Sequence, residues 1–163
     1  MSGPHALRAP FAALAAALVA LPLAACVPGP VACPAIAAAP VVTIHITPQR
    51  AATLKPGTLS GQACQDGLCS GGQLDVMDDS GPSAGPGWKR ASILMRSLTE
   101  SPIDLTLTGT DASGEPIGTQ QARFTPRVEH PWGPQCPSTL IAEVTFDVGS
   151  LRTATPSPAQ RAT

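Results

Sequence analysis

The chain has 163 residues, with 10 Lys+Arg against 11 Asp+Glu and a formal net charge of -1. Charged residues are only 13% and aromatics 3%; nothing here can neutralise a run of phosphates or stack on bases, so nucleic acid is excluded as a partner. Nineteen prolines and fifteen glycines would suit a disordered chain, but 43% hydrophobic residues at low charge do not, and the length allows one small domain.

The strongest signal lies in the first 26 residues. Met1 to Arg8 carries one cationic side chain, and Phe11 to Leu21 (FAALAAALVAL) is wholly apolar. As a helix that run would span roughly 16 Å, about half of a hydrocarbon core. Its length and flanks fit the h-region of a secretory signal better than a membrane span. Leu23-Ala24-Ala25-Cys26 follows, an apolar residue and two small ones before a cysteine. This resembles the lipobox of bacterial lipoproteins. The resemblance implies that Cys26 is the lipidation site, that cleavage falls between Ala25 and Cys26, and that the thiol carries a diacylglyceryl group, with palmitate-type chains as the membrane anchor. Each buried methylene contributes about 0.8 kcal/mol, so two or three chains anchor stably where one holds only marginally. General signal-peptidase cleavage after Ala25 would put Leu23, not a small residue, at the third position back.

From Cys26 to Pro40 the chain reads as a Pro/Ala-rich tether, able to reach roughly 50 Å if fully extended. The expected domain runs from Val41 to Val148. Val42, Ile44 and Ile46 alternate with Thr43 and His45, which predicts a strand with one buried face. Leu59 to Cys64 is a weaker strand and Ala91 to Leu98 another. Between them Asp78 to Gly87 (DDSGPSAGPG) reads as an exposed, mobile loop. Ile103 to Thr108 alternates throughout, Asp111 to Gly114 supplies turn chemistry, and a strand is expected within Ile117 to Thr125. Leu140, Ala142, Val144, Phe146 and Val148 share one face of a last strand, with Glu143, Thr145 and Asp147 opposite. Residues 149–163 read as a disordered tail. No segment after the leader keeps a helical apolar period over twelve residues, and prolines interrupt most windows. The fold class expected is all-β, a small antiparallel immunoglobulin-like or prealbumin-like sandwich.

Beyond Cys26 stand Cys33, Cys64, Cys69 and Cys136. An even number in an exported domain points to two disulfides, and four cysteines allow three connectivities. Cys64 and Cys69 bracket an Asp66-Gly67 turn dipeptide and face each other across it, which leaves Cys33 with Cys136. A four-cysteine zinc site is the alternative, but the remaining cysteines stand alone rather than as a second close pair.

Chemistry-bearing motifs are weak. Gly81-Pro82-Ser83-Ala84-Gly85 matches G-x-S-x-G literally, yet Asp78-Asp79 precede it and Pro86-Gly87 follow, where a nucleophile elbow needs a strand and a helix. His45 and His130 lack the H-x-x-x-H or H-E-x-x-H spacing of metal sites. Asp75, Asp78 and Asp79 form a small acidic loop without calcium-loop spacing. Trp88 and Trp132 flank Gly/Pro loops and are expected to cap the core, the alternative being an exposed anchor for a partner or glycan. No catalytic residue, metal or cofactor is expected.

Beyond the lipobox, Cys33-Pro34, Ala63-Cys64…Cys69 and Gln135-Cys136-Pro137 are loosely similar to small lipoproteins of high-GC actinobacteria. That likeness implies location and a disulfide-braced sandwich and adds no activity. The expected role is a non-catalytic binding or envelope-interaction module on the extracytoplasmic face of the cell membrane, with an envelope protein or glycan as partner. The alternative is a small ligand or cation carrier using the Asp75–Asp79 loop.

Overall fold

A computed structural model of the chain describes residues 32–35, 38–81 and 84–153. The lipobox-like segment with Ala25 and Cys26, Ser83, and the end of the chain from residue 154 lie outside the described residues.

The apolar/polar alternation becomes two packed sheets. The larger contains β1 (Val41–Ile46), β4 (Met77–Asp78), β5 (Lys89–Leu94), β8 (Arg127–Glu129), β9 (Thr139–Asp147) and β10 (Ser150–Thr153). Its strand order is β10-β9-β1-β5-β4, with β8 also paired to β9. The smaller sheet has the order β3-β2-β6-β7, from β2 (Ser60–Gln65), β3 (Leu68–Gln73), β6 (Ile103–Thr108) and β7 (Gln120–Phe124). Val42, Ile44, Ile46, Ala142, Val144 and Phe146 of the first sheet meet Ala63, Ile103, Leu105 and Leu107 of the second in one buried cluster. All but Ala63 are side chains whose period of two marked a buried face, and their removal from water is the main favourable term in folding.

The all-β fold expected from the sequence forms, in two antiparallel-rich sheets, and differs from the expectation in detail. One pair departs from the antiparallel pattern: β1 pairs with β5 antiparallel but with β9 in parallel, Ile44 standing opposite Val144. Parallel neighbours need a long crossover, and nearly the whole domain serves as this one. Strands Ala91–Leu98 and Ile117–Thr125 are displaced or shorter, forming at Lys89–Leu94 and Gln120–Phe124. The tail is ordered as far as Thr153: a two-residue turn, with Gly149 at φ 89°, folds β10 back onto β9. Leu151 packs against the core and supplies the apolar contact that holds it.

One short helix, α1 (Pro48–Thr53), was not anticipated. It is nucleated locally: Thr47 is the N-cap, its hydroxyl accepting from the Arg50 amide at 3.3 Å, and Pro48 opens the first turn. Its one buried side chain is Arg50, whose guanidinium lies 4.6 Å from the Phe146 ring centroid and donates through Nε to the Asp147 carbonyl at 3.2 Å.

The β2–β3 hairpin forms as its turn chemistry requires. Asp66 and Gly67 both take positive φ, 50° and 78°, the conformation that matches strand twist in a two-residue turn. Cys64 and Cys69 are thereby set directly opposite and disulfide-bonded. Cys33 and Cys136 are disulfide-bonded as well, completing two bridges, Cys33–Cys136 and Cys64–Cys69. The Gln65 side chain is buried but satisfied, donating to the carbonyls of Thr99 and Ser101 and accepting from the Thr99 amide.

Candidate functional site

Among the described residues, the outer face of the larger sheet carries a connected line of charged groups. Strand alternation turns His45 of β1 and Glu143 of β9 away from the core, and the parallel register places Glu143 beside Thr43, one step diagonal from His45. His45 Nε2 lies 3.7 Å from Glu143 Oε1. The third member comes from the Gly/Pro loop: Asp79 Oδ2 stands 2.6 Å from His45 Nδ1. A carboxylate only accepts, so the Nδ1 hydrogen is donated to it. Arg127 of β8 extends the line, donating to Glu129 at 2.7 Å and reaching Glu143 at 3.5 Å.

Asp79 is held from several sides. Its amide donates to the Trp88 carbonyl at 3.0 Å, closing the loop at its base, and its Oδ1 accepts from the Gly81 amide at 3.0 Å. The side chain is 1% exposed against 27% for His45. The expectation of a wholly exposed, mobile Asp78–Gly87 loop is therefore corrected at its first residues: Asp79 is a latch onto the sheet. Ser83 lies outside the described residues.

The electrostatics follow from this packing. Glu143 raises the His45 pKa above its ordinary 6.5, partial burial opposes it, and Asp79 adds to the rise. For Asp79, burial alone would push the carboxyl up, but the hydrogen bonds from His45 and Gly81 outweigh it and the net direction is down. Glu143 is lowered by His45 first and by Arg127 as well, against its own burial. The group thus favours a protonated imidazole between two carboxylates, a mutually compensated charge line.

The other sequence candidates disperse. Asp78 pairs with Lys89 at 2.5 Å on the surface, Asp79 belongs to His45, and Asp75 is exposed, so the three carboxylates of the proposed carrier loop do not converge. Among the described residues no group of three or more His, Cys, Asp or Glu is placed to hold a metal ion. His130 sits in the β8–β9 loop, its Nδ1 3.4 Å from the Cys136 carbonyl oxygen. Neither tryptophan joins the central core cluster, which corrects the expected capping role: Trp88 is half-buried against its own loop near Gly85, and Trp132 is 39% exposed.

Trp132 instead borders a groove of about 500 Å³ at one end of the sandwich. Parallel β1 and β9 begin there and antiparallel β5 ends there. Leu98, Trp132, Pro137, Leu140 and Pro40 are among its walls, and none of the eleven described residues lining it is charged. The sequence displayed every one of these residues but not their convergence, because they come from the segment before β1, the β5–β6 connection, the β8–β9 connection and β9 itself. No family model, no curated protein and no solved structure matches the chain.

Proposed function

We propose that the chain is an extracytoplasmic lipoprotein, held to the cell membrane through acylated Cys26, whose β-sandwich acts as a non-catalytic binding or envelope-interaction module. The observation that carries this reading is the Leu23-Ala24-Ala25-Cys26 sequence placed directly after an eleven-residue apolar run. Two disulfides in a small domain support it, since such bridges form and persist in oxidising compartments.

The test is expression of the full chain in a bacterium that processes lipoproteins, followed by fractionation and intact-mass measurement. The membrane fraction should contain a polypeptide beginning at Cys26 and bearing acyl chains. A Cys26→Ala variant should retain its leader and carry no lipid. An unmodified thiol at Cys26 in the wild-type product refutes the reading.

A further inference from the structure

We propose that the end of the sandwich around Trp132 docks onto the lipid surface itself, so that the domain lies against the bilayer at a set orientation instead of swinging on its tether. The inference rests on the anchoring reading above and names the partner of the groove.

Three observations converge on this end. Among the described residues the groove has no charged wall, and apart from Ser138 and Thr139 its lining is apolar; Trp132 is part of it and 39% exposed. Two further large apolar side chains are displayed beside it: Leu94, 67% exposed and paired with Val41 at the start of β1, and Val128, 46% exposed and paired with Leu140 of the groove. Leu94 stands on the outer face of the sheet and Val128 on the side of Leu140, so apolar side chains are exposed on both sides of this end, and exposed apolar surface of this kind marks a protein or membrane contact. An indole at its edge suits the headgroup level, where an apolar ring and a polar N–H are both accommodated.

Chain length favours lipid over protein as the occupant. Pro34 is a wall of the groove, and it follows Cys26 by only eight residues. Even fully extended, that stretch reaches about 27–29 Å, less than the thickness of a bilayer core. With Cys26 in the membrane, the groove is the part of the domain whose distance from the lipid is most tightly limited. Its effective concentration at the surface is correspondingly high, so a weak apolar contact suffices. The charged outer-face line of Asp79, His45, Glu143 and Arg127 belongs to the sheet surface and contributes nothing to the groove lining.

The experiment uses the processed, acylated protein reconstituted into phosphatidylcholine vesicles, with or without bromine on the upper acyl carbons. In a Trp88→Phe variant, Trp132 is the sole tryptophan. Its emission should shift to the blue and fall roughly twofold in brominated vesicles, as expected for a ring at the interface. The Trp132→Phe protein, which keeps Trp88, should show no such loss. The difference between wild type and Trp132→Phe reports the same quantity should Trp88→Phe fold poorly. Unquenched Trp132 in acylated protein that floats with the vesicles overturns the docking inference and leaves the anchor intact, directing the groove to a protein partner. Protein that neither carries acyl chains nor floats overturns the anchor reading and the inference with it.

Discussion

Replacing His45 by Gln tests the charge line on the outer sheet. The substitution removes the 2.6 Å contact to Asp79, whose side chain is 1% exposed, and leaves that carboxylate with the Gly81 amide on its other oxygen. Stranding a buried group of this kind costs about 1–3 kcal/mol. Since His45 is itself 27% exposed and water can partly replace it, an expected loss near the middle, about 2 kcal/mol, corresponds to a fall in Tm of roughly 10 °C for a domain of this size. The sign of the pH dependence follows from the shifts. His45 has a raised folded-state pKa, so its contribution is fully present below its ordinary 6.5 and is lost as pH rises through the raised value. Asp79 and Glu143 are lowered, so theirs is present above ordinary carboxylate values and is lost as pH falls through the depressed ones. Urea unfolding of wild type and variant across pH should give a stability gap widest between these limits, narrowing on both sides. Above the raised His45 value the gap persists in part, because neutral imidazole still donates to Asp79. A gap under about 0.5 kcal/mol at every pH, the size of an exposed ion pair, refutes the latch.

Two further outcomes are expected. The disulfides close loops of very different length, so they should differ in worth. A Cys64→Ser/Cys69→Ser double variant, opening a bridge of sequence separation 5, should lose about 2 kcal/mol; Cys33→Ser/Cys136→Ser should lose about 4–5 kcal/mol on the chain-entropy model. Denaturant titration of the two variants checks the order, and equal losses contradict it. At Gly71 an added Cβ would lie 2.1 Å from the Gly61 carbonyl oxygen and 2.7 Å from Gln62 Cα at φ 152°, whereas at Gly72 nothing stands within 4 Å at φ 143°. Gly71→Ala should therefore destabilise by about 2 kcal/mol or more by forcing β3 away from β2, and Gly72→Ala by about 1 kcal/mol from backbone strain alone. Thermal melts in which the two variants coincide refute that distinction.

Much of the fold was legible because its signals are local. The alternation at Val42–Ile46, Ile103–Thr108 and Leu140–Phe146 reports burial two residues at a time, and Asp66-Gly67 specifies its own turn and with it the Cys64–Cys69 pair. The helix at Pro48–Thr53 escaped because six residues are too few for a 3.6-residue period to show; Thr47-Pro48 was its only visible mark. Strand β10 was obscured by the polar composition of its surroundings, with Leu151 its single large apolar side chain.

The candidate site was not legible in the same way. By itself the amino-acid order determined which side chains face inward, where the chain turns, which cysteines are available to bridge, and the Leu23-Ala24-Ala25-Cys26 segment on which the proposed location rests. Tertiary structure alone decided that β1 lies parallel to β9, bringing His45 to Glu143 across 98 positions of chain, that Asp79 closes over them, and that Leu98, Trp132 and Leu140 share a groove. The reason is physical: a strand's facing pattern is written in its own residues, but its partner is selected by the packing of the whole sandwich. A contact between distant strands has no period in the sequence from which to read it.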